Sequence, residues 1–347
     1  MLKKLLDQMA TLKRVQNVAL LGGVHGNEMS GVFVAQKFMK DPTDITRNSF
    51  KTTVLMGNPK AVEKCTRYID VDLNRQFSKE NLNATNIDAS YEVQRAREIS
   101  NALSKDFGSP DVVLDMHNTT ANMGNCFIIQ DKQQVLSLHL INYIVKKAIH
   151  KAPAHILCVS NPKYTYNCSR CLAPNGIVCL TRRSKELAGT TNKAFPVGRV
   201  SVIFKWWWWL ESLELGPQPQ GVLLAELFQR MQELVINSMD FFEAFNSGAT
   251  SDSFQADVYN IMEKVDFPRD SDGNITAMIH PRLQDKDWEA LNPGDPIFLT
   301  FNGKTIGYDG KETMFPVFIN EASYYEKHLA FWLTKKETFN VPAIKVQ

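Results

Sequence analysis

The segment that most constrains this chain is an apolar run that ends in glycines and reopens as a helix. Val18-Ala19-Leu20-Leu21 is continuously apolar, Gly22-Gly23-Val24-His25-Gly26-Asn27-Glu28 follows, and Met29, Val32, Phe33, Phe38 and Met39 then recur at helical spacing. A run without polar alternation fits a strand covered on both faces, as in a parallel-type sheet flanked by helices. The alternation continues downstream: residues 53–56 read as a strand closed by Gly57-Asn58-Pro59, 91–103 as a helix, 112–117 as a strand, 126–130 as a strand, 135–148 as a helix and 155–159 as a strand. This order predicts an α/β layered domain with its site at the carboxyl ends of the strands. A long helix is predicted over residues 222–245. Beyond Asn246-Ser247-Gly248, β-like runs at 297–301 and 313–318 are separated by Asn292-Pro293-Gly294-Asp295 and Asn302-Gly303, which predicts a second, mostly β domain from about residue 249.

Two stretches stand apart. Residues 1–14 carry charges every few positions and lack an apolar centre or a small-residue cleavage site, so they read as a surface helix leading into a strand, not a signal peptide. Between residues 168 and 212 the periodicity is lost, and Trp206-Trp207-Trp208-Trp209 cannot all face a core. Such a cluster is an exposed binding patch or an aggregation liability, unless it belongs to a translated insertion without selected structure.

Composition narrows the class of partner. Across 347 residues, 39 Lys plus Arg face 37 Asp plus Glu, a net charge of +2, which leaves no broad basic field for nucleic acid. No apolar run is long enough to span a bilayer. Six cysteines without framework spacing suit free thiols in a reducing cytoplasm, and the Cys168/Cys171 pair lacks the second ligand pair of a zinc ribbon.

The chemistry-bearing residues begin in the glycine turn. His25 and Glu28 offer an imidazole and a carboxylate, borderline-to-hard ligands suited to zinc, and a His2Glu set leaves a fourth position open, which is the catalytic pattern. His117, at the end of a predicted buried strand, is the candidate third ligand, and Asp115 on the same strand face could orient it. Glu214, between two apolar residues before a Pro/Gly loop, is either a surface residue at an element boundary or a buried catalytic acid. Arg67, Asn74 and Arg75 lie within nine residues. Arginine grips carboxylates and steadies oxyanions, although a solvated, salt-bridged loop has the same composition. Together these residues suggest zinc hydrolysis of an amide that carries a carboxylate.

Six motifs in order extend the reading. Gly22-Gly23-Val24-His25-Gly26-Asn27-Glu28, Arg67-Tyr68-Ile69-Asp70, Asp72-Leu73-Asn74-Arg75, Asp115-Met116-His117-Asn118-Thr119-Thr120, residues 214–221 (Glu-Leu-Gly-Pro-Gln-Pro-Gln-Gly) and Asn320-Glu321-Ala322-Ser323-Tyr324-Tyr325-Glu326-Lys327 resemble the aspartoacylase family, within the succinylglutamate desuccinylase and zinc-carboxypeptidase-like group. Residues 118–124 and 29–32 are more similar to its aromatic-preferring branch, aminoacylase III. The resemblance implies a zinc-carboxypeptidase-like α/β domain with a mixed sheet (residues 1–248, with 168–212 as an atypical insert) and a C-terminal β-rich domain (249–347) that narrows the mouth of the site. It implies His25, Glu28 and His117 as ligands of one zinc per subunit, and Glu214 as the general base. Arg67 would polarise the scissile carbonyl, and Asn74, Arg75 and Tyr324 would bind the product's carboxylate.

For the side-chain pocket, Tyr166 and Arg170 have the spacing with which aspartoacylases hold a second carboxylate, while Thr181-Arg182-Arg183-Ser184 also resembles the local motif. The implied activity is deacylation of N-acetylated aromatic amino acids and S-conjugated N-acetylcysteines. An N-acetylaspartate specialist, and a zinc-binding isoform inactivated by the insert, are the alternatives. A cytoplasmic homo-oligomer, with or without peripheral contact to a membrane face, completes the expectation.

Overall fold

The computed structural model describes residues 9–83, 89–106, 110–159 and 209–347. In chain order its elements are β1 (Ala10–Leu12), β2 (Asn17–Gly22), α1 (Met29–Lys40), β3 (Lys51–Met56), α2 (Pro59–Lys64), α3 (Lys79–Asn83), α4 (Tyr91–Asn101), β4 (Val112–Asn118), β5 (Gly124–Ile129), α5 (Val135–Lys147), β6 (Ala154–Cys158), β7 (Trp209–Gly216), α6 (Ala225–Asn246), β8 (Phe254–Val265), β9 (Ala277–Ile279), β10 (Pro296–Thr300), β11 (Thr305–Gly307), β12 (Phe315–Val317), β13 (Phe331–Val341) and β14 (Ile344–Val346). Short 3-10 turns at Leu73–Arg75 and Ala322–Lys327 border the site.

Among the described residues, a nine-stranded sheet runs in the order β12-β13-β8-β6-β5-β7-β4-β2-β3. β3, β2, β4 and β7 are parallel, β5 runs antiparallel to β7, and β6 and β8 follow β5. The sheet is therefore mixed. β4 is buried at every position, which explains its apolar run; the polar side chains it admits, Asp115, His117 and Asn118, each have at least one partner.

One sheet face packs on α1, α5 and α6, where Leu20, Leu114, Leu213 and Phe127 meet Phe38, Leu138, Met231 and Leu234. The opposite face is covered in two pieces. Ala19, Leu21 and Val113 lie under Leu73, Phe77, Ala96 and Ile99. Farther along, Cys126, Leu157, Tyr259 and Ile261 lie under Trp288, Val317, Phe318 and Trp332. Between these covers the same face carries Asp115 and His117 on β4 and Glu214 on β7, and the site occupies that gap.

Several sequence expectations change here. Residues 10–12 form β1, paired in parallel with β14, instead of continuing a surface helix; residues 1–8 lie outside the described residues. Residues 209–212, read as lacking a pattern, begin β7, which is hydrogen-bonded on both edges. Residues 222–224 form an exposed approach to α6 and not its first turn. The structure also shows how the C-terminal β region joins the rest. Its longest strands, β8 and β13, extend the central sheet through the β6–β8 pairing, and β9–β11 form the sheet that stands apart. A half-buried strand shows in sequence that one face is covered, but not which edge it joins. Tyr166, Arg170, Cys168, Cys171, Arg182, Arg183 and Trp206 to Trp208 lie outside the described residues.

Candidate active site

The turn after β2 is shaped by glycine. Gly23 has φ +68°, and a Cβ on Gly26 would lie 2.0 Å from the Ala61 carbonyl carbon, so this turn packs directly on the α2 backbone. That approach delivers His25 and Glu28 to the end of β4. His25 Nδ1 lies 2.6 Å from Glu28 Oε1, and His117 Nδ1 lies 2.8 Å from Glu28 Oε2. All three side chains are buried, and one ligand atom from each falls within 4.8 Å of the others.

The second nitrogen of each imidazole faces a carboxylate: His117 Nε2 to Asp115 Oδ2 at 2.7 Å, and His25 Nε2 to Asp72 Oδ1 at 3.1 Å. A proton on Nε2 satisfies each of these contacts, which turns both Nδ1 lone pairs toward the Glu28 carboxylate. His25 Nδ1 is a buried polar atom without a hydrogen-bond partner among the described residues. Three acceptors converging in a buried space need a cation or shared protons between them. Burial opposes a charge on His117, but Asp115 and Glu28 outweigh it and hold its pKa well above the ordinary value. Burial likewise opposes ionisation of Glu28, yet His25 and His117 hold it well below the usual carboxylate range.

Arg67 reaches the same carboxylate, with Nη1 3.1 Å from Glu28 Oε1 and Nη2 3.4 Å from Asp72 Oδ2. Burial disfavours its charge, but Glu28 and Asp72 reverse the effect and raise its pKa. Its Nε is buried and unpartnered among the described residues, so one donor remains for a bound molecule. Asn74 Nδ2 lies 3.4 Å from His117 Nε2, and Arg75 follows it in the same 3-10 turn; burial opposes ionisation of Asp72, but His25, Arg67 and Arg75 together hold it well below the carboxylate range.

Glu214 is half-buried, not a surface residue. β7 is in register with β4 so that Glu214 stands opposite His117, and on the other side opposite Cys126 of β5. Residues directly opposite each other on adjacent strands share a face, so Glu214 projects beside the imidazole of His117.

The segment from 321 to 327 crosses the gap between the two covers. Glu321 is buried and accepts from Thr120 N at 2.8 Å, Thr120 Oγ1 at 3.0 Å and Ala121 N at 3.3 Å, as well as from Thr119 Oγ1, while also capping its own turn through Ser323 N. At the far end, Glu326 accepts from Tyr68 Oη at 2.8 Å and Lys327 Nζ donates to Asp72 Oδ2 at 3.1 Å. Tyr324 lies between these anchors, near enough to Arg67 to influence its charge. Glu321→Ala would strip several buried donors of their shared acceptor, each worth about 1–3 kcal/mol when unsatisfied. The expected result is a melting temperature lower by about 5–10 °C in a thermal unfolding scan.

Sequence reasoning did not single out Asp72, Glu92, Glu321 or Lys327 as site residues. Asp72 and Glu321 sit inside motifs quoted for other reasons, and no local signal separates Asp72 from Asp70. Of the remaining histidines, His139 is satisfied by the Pro342 carbonyl at 2.9 Å. His155 stands in a different setting from His139. Its ring stacks on Trp288 at 4.5 Å, its Nδ1 is buried without a partner among the described residues, and burial lowers its pKa to about 4. Among the described residues Cys65, Cys126 and Cys158 form no disulfide, and Cys158 Sγ donates to the Gln130 carbonyl.

Comparison with known proteins agrees with this geometry. Residues 14–172 match the succinylglutamate desuccinylase/aspartoacylase catalytic domain, and residues 254–336 match the AstE/AspA barrel-sandwich hybrid domain. The chain is 45% identical to an N-acyl-aromatic-L-amino acid amidohydrolase (carboxylate-forming) of Xenopus tropicalis, over 96% of this chain and 97% of that protein. It is 42% identical to an aspartoacylase of Danio rerio, over 96% of each. The crystal structure of murine aminoacylase 3 superposes with a TM-score of 0.81 at 38% identity, covering 96% of this chain and 100% of that one. The chain therefore belongs to the succinylglutamate desuccinylase/aspartoacylase family, with the aminoacylase III branch among its close relatives.

Proposed function

We propose that this protein is a zinc-dependent amidohydrolase that removes the acyl group, typically acetyl, from N-acyl-L-amino acids, with aromatic and S-conjugated cysteine substrates preferred. The observation that carries the reading is the convergence of His25 Nδ1, Glu28 and His117 Nδ1 beside the Glu214 carboxyl. His25, Glu28 and His117 would hold one zinc per chain, with Asp72 and Asp115 fixing the imidazoles. Bound there, zinc supplies Lewis acidity toward water and toward an amide carbonyl.

The chain's own residues do the rest. Arg67 offers its free Nε–H in a buried setting, suited to hold the carbonyl oxygen as negative charge develops. Glu214 accepts a proton from the attacking water and returns it to the departing amine, a role that suits a carboxyl whose burial raises its proton affinity. Asn74, Arg75 and Tyr324 bind the amino acid's carboxylate from the two sides of the gap. The segment from 321 to 327 closes over them and excludes water.

The aspartoacylase relative at 42% identity supports an N-acetylaspartate specialist as the second reading. One buried charge separates the two, because an arginine in the side-chain pocket suits an anionic substrate and is left desolvated by an aromatic one. We expect N-acetyltyrosine to be turned over faster than N-acetylaspartate, measured as kcat/KM on the purified chain. The opposite ranking, lost in Arg170→Ala, would establish the second reading. The inactive-isoform alternative has less support, because the register of β7 against β4 leaves Glu214 beside His117 despite the preceding segment. Among the described residues no helix is long and apolar enough to cross a membrane. A homo-oligomer remains part of the proposal, to be checked by light scattering.

A further inference from the structure

Behind the arginine loop lies a buried carboxylate that the reaction described above does not use. Glu92, in the first turn of α4, is 0% exposed. Its Oε1 accepts from Ile69 N at 2.7 Å and Asn58 Nδ2 at 3.0 Å; its Oε2 accepts from Asp70 N at 3.1 Å and Val71 N at 3.2 Å. Asn58 is equally buried, and its Oδ1 caps α2 through Ala61 N at 3.1 Å. The connection that carries Arg67 is thus held at both ends. It leaves α2 at Cys65 in the left-handed region (φ 51°), and four residues later its backbone N–H groups converge on Glu92. Asp70 adds a return bond, its Oδ2 accepting from Tyr91 N at 2.8 Å.

All four partners of Glu92 are donors, so only a group that accepts at both oxygens fits. A glutamine would keep one acceptor and aim its NH2 at two N–H groups. We propose that Glu92 is a positioning residue. By fixing the path of residues 69–71 it sets where Arg67 stands, and through Arg67 the contacts to Glu28 and Asp72. This rests on the amidohydrolase reading for its catalytic consequence, but the clamp itself does not.

The test is Glu92→Gln in the full, zinc-loaded chain, beside Arg67→Ala and the double variant. N-acetyltyrosine turnover, zinc content and backbone amide exchange are measured for each. We expect the amides of residues 69–71 to exchange at least about tenfold faster while those of β4 do not change, because the opening is local. Zinc content should hold while kcat falls about 100-fold, the scale expected when a catalytic group is displaced by about an ångström. The double variant should be no slower than Arg67→Ala alone, which a general loss of stability would not produce. Glu92→Asp keeps both acceptors on a shorter arm. It should fold even where Glu92→Gln does not, with intermediate turnover and the same non-additivity.

Unchanged exchange at residues 69–71, or losses that multiply in the double variant, would overturn the proposal. Should the zinc-loaded wild type hydrolyse no N-acyl amino acid, the functional reading fails. The clamp is then decided by exchange alone, with faster exchange in Glu92→Gln supporting it and unchanged exchange refuting it.

Discussion

His117→Ala should yield a folded chain that no longer retains zinc and no longer hydrolyses N-acetyl amino acids. Elemental analysis after dialysis should fall from about one ion per chain to near zero, since two ligands seldom hold a catalytic zinc. The variant also leaves Asp115 and Glu28 buried without the imidazole between them (2.7 Å and 2.8 Å from its nitrogens), so stability should drop by about 3–5 kcal/mol. Asp115→Asn separates the two effects. It keeps the ligand but weakens its orientation, and zinc affinity should fall about 10–100-fold while the fold is retained. Because Asp115 and Glu28 keep a proton on His117 in the metal-free chain, zinc must displace that proton, and wild-type affinity should weaken as pH falls. Equal metal content and equal turnover in His117→Ala would remove the basis of the proposed function.

These residues were legible because their signals are local. His25 and Glu28 share one glycine turn, and His117 ends a strand whose every residue is buried, so a histidine there had few structural excuses. The groups that orient them were not. Asp72 reaches His25 from 47 residues away, and Glu321 reaches Thr119 from 202 residues away. Nothing in a charged loop or a capping glutamate announces such a partner. The same limit hides how the sheet continues past β6. β8 carries the mixed burial pattern of a strand covered on one side, and that pattern is indifferent to whether the neighbour is β6 or a strand of a separate domain. Glu214 was ambiguous for a related reason. Its flanking leucines fit a surface boundary as well as a buried strand, and only the register against β4 decides between them.

Glu214→Gln should lower kcat by about 1,000-fold while zinc content is unchanged, the loss expected when a general base is replaced by an isostere that cannot take a proton. Stability gives an independent measure of the same carboxyl. Burial, opposed by His117 and Arg67 and reinforced by Glu28 and Glu321, pushes its pKa from the ordinary 4.5 up to about 8 in the metal-free chain. The folded state then binds the proton more tightly than the unfolded one. The stabilisation from Glu214 is complete below the ordinary value and is lost as pH rises through the folded one. Glutamine has no such dependence. In chelator, the melting temperature of the variant should match wild type near pH 4.5, exceed it progressively toward pH 8, and differ by a constant amount above that. Zinc should erase the difference, because a cation held by His25, Glu28 and His117 favours the ionised carboxyl beside it. A pH-independent difference in melting temperature would mean that Glu214 is solvated, and a solvated carboxylate in that position would be too weak a base for the role assigned to it.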